Sequence, residues 1–576
     1  MLRAAKTGCV TDREPKMSVK PPLMDLPIST ADSGFYSGFS KTVAIVSKII
    51  VAALVVWAIV FPDQAGSVLN ALNSFILANT AYWYVYIVAF FVLLCAFLAI
   101  WPTAGRLKLG LDSDEPEFSN FSWFSMMFGA GIGVGMLTWS VAEPVYHFQN
   151  NPDVIKGAVE GSTAEAIRSA YKWSFLHWGF GAWACYAIAG LALGFFCYRR
   201  GLPLTMRSSL TPLFGKSLSG PLGHLIDIVA VVATILGVAQ TLGFGVEQFV
   251  AGLTRIGIGG LIGEGGTANT LGVIVAIVII MAASTMSALS GVGKGIKWLS
   301  NLNMGLSIFL LTFFLLFGAT FFGLQSLVVG IWDYIIALPE MLFTVWRSDG
   351  VEGSVASQLE SWQGGWTVFY WAWWIAFAPF VGLFLARISK GRTIREFVLG
   401  AIIVPSLMCF VWFTWAGGTA IDLTLNGDAG DAIFGASDGD KIFAMVIHML
   451  GAAFGWIMSI VIVILLMTYL VTTADSAVLI VNTINAAGDE GPKAQPHIYF
   501  WGIALGGVVA ALLIAGGSGG GGLKAIQTAM VIGAFPFSIV MVLQGIALVK
   551  AIYNDGRRNA VGIATTHDQA ASAPAE

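Results

Sequence analysis

The chain has 576 residues, of which 57% are hydrophobic and 11% charged, with a formal net charge of −3. Soluble proteins carry about 25% charged residues, so a string of water-facing domains is excluded, and the charge balance offers no basic field for nucleic acid. Continuous apolar runs of about 20 residues, rather than period-two alternation, exclude an outer-membrane barrel and predict an all-α polytopic membrane protein.

In chain order, residues 1–40 are polar, contain prolines and lack a signal-type apolar core, which reads as a cytoplasmic N-terminal tail. Twelve transmembrane helices are expected, beginning near residues 41, 82, 121, 173, 222, 271, 302, 366, 395, 453, 497 and 527. The stretch 326–346 is apolar but interrupted by Asp333, Pro339 and Glu340, and is expected to be an amphipathic helix lying outside the membrane, with its following loop reaching residue 365. Residues 551–576 form a second tail that holds Arg557 and Arg558 and then turns Ala-rich and mildly acidic. The loop after span four carries Arg199, Arg200, Arg207 and Lys216, and the loop after span eight carries Arg387, Lys390, Arg392 and Arg395. The loop after span nine instead carries Asp422, Asp428, Asp431, Asp438 and Asp440. By the positive-inside rule the even exits and both termini are cytoplasmic, in a plasma (inner) membrane.

Span three contains Gly129, Gly131, Gly133 and Gly135 within seven residues. They cost about 3–4 kcal/mol of helix propensity. Two readings stand: close helix packing of the small-xxx-small kind, or a broken helix whose free carbonyls hold a cation or a substrate. Span ten ends in Tyr469-Leu470-Val471-Thr472-Thr473-Ala474-Asp475. The two hydroxyls either bond back to carbonyls one turn earlier or act as hard oxygen ligands for a small cation, and Asp475 reads as a network residue.

Span eight carries Trp366, Tyr370, Trp373, Trp374 and Phe377 within an arc of roughly 100° at helical spacing. In span four, Trp178, Trp183 and Tyr186 fall within roughly 140° by the same arithmetic. Such stripes are either interfacial belts or an aromatic cage for a quaternary ammonium group, to which each desolvated ring contributes about 0.5–2 kcal/mol. The six histidines are scattered, with no HxxxH or HExxH pair, and the cysteines show no metal spacing. No nucleophile–base constellation appears, so the chain is not expected to be an enzyme, and the cation site is expected to hold no carboxylate among its rings.

The segments FYWAWWIAFAPFVGLFLARISKGRTIREF (369–397) and GAGIGVGMLTWSVAEP (129–144) resemble the betaine/carnitine/choline transporter family, and the likeness extends over roughly residues 40–550. The resemblance implies a LeuT-type core of inverted five-helix repeats, 121–325 and 366–550, preceded by two extra helices within 41–120. It also implies a homotrimer in the bilayer, with the helix at 326–346 at the subunit contact. Carried onto this chain, the substrate box is Trp178, Trp183, Tyr186, Trp373, Trp374 and Phe377 with Gly131, Gly133 and Gly135, where Phe377 stands in place of the usual Trp. A Na⁺ site would use Gly129, Ile132, Tyr469, Thr472 and Thr473, and a second site Thr234 and Phe380, although the family's second threonine there is Val238 in this chain. Gly135 stands where some proton-coupled choline carriers have an acid, which favours a carboxylate-bearing zwitterion. The expected function is Na⁺-coupled import of a quaternary ammonium or sulfonium zwitterion such as glycine betaine or dimethylsulfoniopropionate, by alternating access and with no cofactor beyond the coupling ion. The alternatives are a Na⁺-independent or proton-coupled exchanger of carnitine- or choline-type solutes and, from another class, a membrane osmosensor or channel.

Overall fold

A computed structural model describes residues 20–131, 133–290, 297–491, 494–516 and 521–572. Among these, the regular structure is helical, in seventeen main helices: α1 (Lys41–Val60), α2 (Pro62–Ile100), α3 (Asn120–Gly131), α4 (Gly133–Gln149), α5 (Ala166–Trp178), α6 (Phe180–Leu193), α7 (Pro221–Arg255), α8 (Thr270–Ser290), α9 (Lys297–Phe317), α10 (Thr320–Phe343), α11 (Val355–Gln363), α12 (Phe369–Ile388), α13 (Ile394–Trp412), α14 (Gly418–Leu425), α15 (Lys441–Asn485), α16 (Gln495–Ala515) and α17 (Gly521–Ala560). Their starts follow from local chemistry. Pro62 and Pro221 open α2 and α7 where a missing N–H costs nothing, and Thr393 with Glu396 forms a reciprocal cap on α13.

Among the described residues, twelve helical stretches are long and apolar enough to cross a membrane. One of them is not among the twelve expected spans. Thr320–Phe343 qualifies by length and apolarity, and the glycine-rich span is described on either side of Ile132 as α3 and α4. Both ends of α10 are nevertheless tied to the same end of the bundle. Ala319 N–H donates to Thr419 at the start, and past the other end Trp346 N–H donates to Gln363 and the Trp346 ring packs on Trp173. Several helices also run beyond their apolar windows: α2 starts at Pro62 rather than near residue 82, and α15 starts at Lys441 and bends at Gly451, where φ is 71°.

The two ends of the bundle differ in charge as the loops predict. At one end Arg199 pairs with Asp112, Arg200 with Asp555, Arg387 with Glu490, and Arg392 bonds Asn120. At the other end Tyr146 donates to Asp438, Arg255 pairs with Asp440 and Lys172 with Asp153. Residues 20–40 pack on the arginine-rich end, where Ser40 N–H donates to Asn485 and His497 stacks on Phe39.

The most deeply buried windows belong to Ala166–Arg199 and Val355–Ile388, each 94% buried, against 33% for α1. These two spans carry the aromatic stripes, and they cross closely. A Cβ on Gly382 of α12 would lie 2.5 Å from the Ala189 Cβ of α6. Replacing Gly382 with Leu is expected to force these helices apart at a cost of about 1–3 kcal/mol, read as a lower thermal unfolding midpoint of the purified protein.

Candidate functional site: an aromatic core around a buried carboxylate

Span four is not one helix. It breaks at Gly179, whose φ and ψ of −94° and −140° end α5, and the Phe180 N–H is taken by the Tyr334 hydroxyl of α10 at 2.9 Å. The helical arithmetic that put Trp178, Trp183 and Tyr186 on one stripe therefore does not hold across Gly179. It does hold along α12, where the rings of Tyr370, Trp373 and Trp374 stack in sequence, the last two at 4.9 Å and 10°.

Packing of α5 and α6 against α12 brings most of the predicted rings together. Trp178 meets Trp374 edge-on at 5.0 Å and Trp373 at 6.3 Å, while Tyr186 reaches Trp374 at 6.0 Å and Phe377 at 6.4 Å. All are buried. Trp183 is the outlier, touching Tyr186 at 5.5 Å, and its indole nitrogen and the Tyr186 hydroxyl are buried without a hydrogen-bond partner. Trp373 donates to Thr241 and Trp374 to the His177 carbonyl, so two of the indoles are fixed by other spans. Gly135 completes the floor: a Cβ there would sit 3.1 Å from the Trp373 ring and 3.2 Å from Trp178.

Contrary to expectation, the rings do have a carboxylate among them. Glu143 of α4 is wholly buried and accepts from Trp178 Nε1 at 2.6 Å, from the Tyr370 hydroxyl, from His177 Nδ1 at 2.7 Å and from His147 Nε2 at 3.2 Å. Thr367 bonds the other nitrogen of His177 at 3.1 Å. Two of the six scattered histidines, His147 and His177, thus converge in space, because α4 packs on α5 and both face α12. A signal was present: Glu143 and His147 are four residues apart within an apolar span, where an ionisable pair is costly unless it serves a purpose.

Four of the predicted ion-binding residues, Tyr469, Thr472, Thr473 and Phe380, but not Thr234, line a separate cavity of about 410 Å³. It begins at exposed Phe121, near the arginine-rich end, and runs to Tyr469, Thr472, Thr473 and Phe380. Phe377 packs on Phe380 at 5.0 Å, so the cavity stops just short of the aromatic core. The Tyr469 ring leans on the glycine-rich span, where a Cβ on Gly133 would meet it at 2.2 Å, and its hydroxyl shares a hydrogen bond with Ser307. Thr472 bonds back to the carbonyls of Thr468 and Tyr469 and accepts from Asn303, a residue the sequence reading did not single out. Thr234 turns its hydroxyl to the Ala230 carbonyl. Asp475 accepts from Ser287, which makes it the expected network residue. Gly129 and Gly131 lie in the last turn of α3, and Ile132 lies outside the described residues.

Long apolar helices enclosing a buried aromatic core, with a cavity leading to it from one end, define a polytopic membrane transport protein. Residues 42–557 match the family model described as BCCT, betaine/carnitine/choline family transporter. Similar curated proteins include a probable glycine betaine transporter of Desulfitobacterium hafniense, 37% identical over 89% of this chain and 98% of that protein. Two others are the glycine betaine transporter OpuD of Bacillus subtilis, 36% identical over 88% and 93%, and the betaine/ectoine transporter LcoP of Corynebacterium glutamicum, 36% identical over 90% and 78%. The chain belongs to the betaine/carnitine/choline transporter family and is a membrane transporter, not an enzyme.

Gly133→Ala is expected to displace the Tyr469 ring and lower the thermal midpoint and the transport rate together. Gly305→Ala, at a position where a Cβ meets open space, leaves both unchanged.

Proposed function

We propose that the protein is a secondary transporter of a methylated ammonium or sulfonium zwitterion of the glycine betaine type, held by cation–π contacts and driven by Na⁺. The observation that carries this reading is the buried group of Trp178, Trp373 and Trp374, two rings stacked and the third edge-on. Three desolvated indoles contribute roughly 0.5–2 kcal/mol each to a cation, enough together for binding near the micromolar range with the remaining contacts. The unpaired Tyr186 hydroxyl suits the carboxylate end of a zwitterion, since a buried donor without a partner gains most from meeting an anion. The names of the curated relatives support the substrate class.

For the coupling ion, Tyr469, Thr472 and Thr473 offer neutral oxygens beside the glycine-rich span, as a broken-helix cation site requires. One Na⁺ moving down 100 mV supplies about 2.3 kcal/mol, more than the 1.4 kcal/mol that each tenfold of solute accumulation costs. A second ion at Thr234 lacks a hydroxyl partner at Val238, so a single Na⁺ is the proposed stoichiometry. In this reading the two five-helix repeats rock around the aromatic core, the arginine-rich end is cytoplasmic, and both termini lie there. The exposed apolar side of α10, with Phe321, Val328, Trp332 and Ile336, supports the trimer contact. A Na⁺-independent exchanger is the second reading, favoured by the hydrogen bonds that Thr472 already makes.

Labelled glycine betaine uptake into proteoliposomes separates the two. The proposal expects uptake that needs an inward Na⁺ gradient and is lost in Trp374→Ala. Uptake that is equal without Na⁺, and that appears only with preloaded solute, contradicts the coupling.

A further inference from the structure

We infer that Glu143 is the counter-charge for the cationic head of the substrate, a positioning residue that acts through the rings of Trp178 and Tyr370. The inference rests on the cage reading above and deepens it. Glu143 presents one carboxylate oxygen to Trp178 Nε1 and the Tyr370 hydroxyl and the other to His177 Nδ1 and His147 Nε2. None of these partners carries a fixed positive charge. Neutral imidazoles satisfy all the contacts: His177 donates from Nδ1 and accepts from Thr367 at Nε2, and His147 donates from Nε2 while its Nδ1 has no partner. With both imidazoles neutral, the group carries one net negative charge among buried side chains.

The rings bonded to that charge are also walls of the cage. Tyr370 lies 6.0 Å from Trp373 and 5.6 Å from Trp374, and Trp178 lies 6.3 Å and 5.0 Å from the same rings. An indole N–H and a phenol O–H donated to an anion push electron density back onto their rings, and a cation over those faces feels both the richer π system and the charge behind it. Direct contact with the carboxylate is unnecessary, because a buried charge acts over several ångströms in a low dielectric. Glu143, His147 and His177 also offer ligand atoms within 4.8 Å of one another, close enough to share a divalent ion. Such an ion would make the local charge positive and oppose a cationic head, so the two roles make opposite demands.

The test is binding to the purified full chain, followed by tryptophan fluorescence, of glycine betaine and of 3,3-dimethylbutyrate, which has carbon in place of the ammonium nitrogen. Wild-type preference for glycine betaine tests the cage itself; if there is none, the cage reading fails whatever Glu143 does. Given that preference, Glu143→Gln is expected to reduce it by roughly tenfold without weakening the analogue, an anion that lacks the cationic head. Glu143→Asp is expected to restore part of it. Tyr370→Phe, which keeps the ring and removes one link to the carboxylate, gives a smaller loss and serves if the Gln variant does not fold. Equal weakening of both ligands, or an unchanged preference in Glu143→Gln and Tyr370→Phe, overturns the inference. So does loss of binding on treatment with EDTA that Zn²⁺ restores, which would give the cluster to a metal.

Discussion

The hydrogen bond from the Trp178 indole to the Glu143 carboxylate joins the glycine-rich span to the aromatic one, and much of the centre of the molecule depends on it. A carboxylate buried in a helical membrane core is tolerable only when its lone pairs are filled, and here four side chains from α4, α5 and α12 fill them. Those donors fix the position of Trp178 and Tyr370, and through ring stacking the position of Trp373 and Trp374. Removing any one donor leaves the others to hold a less satisfied charge, so the network behaves as a unit.

Around this knot, the helical span that carries Trp178 and Tyr186 is interrupted. Gly179 ends α5 directly after Trp178, and the freed Phe180 N–H is capped from outside by Tyr334 of α10. The glycine-rich stretch, described on either side of Ile132 as α3 and α4, lies beside the cavity that reaches Tyr469, Thr472 and Phe380. A break of the kind at Gly179 is tolerated at membrane depth only where protein encloses it, and Gly179 and Trp178 are buried.

Much of the architecture was legible in the sequence. Long apolar runs announced the spans, and the alternation of Arg199, Arg200 and Arg392 with Asp438 and Asp440 correctly sorted loops onto opposite ends. The stripe on α12 was legible because 100° per residue describes an unbroken helix. The same arithmetic failed for Trp183, since Gly179 resets the phase between Trp178 and Trp183. The status of α10 was ambiguous, because its composition suits a span and only its packing shows both ends at one side. Glu143 was passed over for a different reason. Its partners on α5 and α12 lie 34, 35 and 227 residues away, and no local spacing rule searches that far.

The central claim is that a methylated cation is held by π faces in the core between α5, α6 and α12. A structure determined with glycine betaine and Na⁺ present tests it most directly. The account predicts density for the trimethylammonium group within about 6 Å of the ring centres of Trp178, Trp373 and Trp374. Density for the solute only in the cavity between Phe121 and Phe380, with those three indoles still packed on one another, would contradict it.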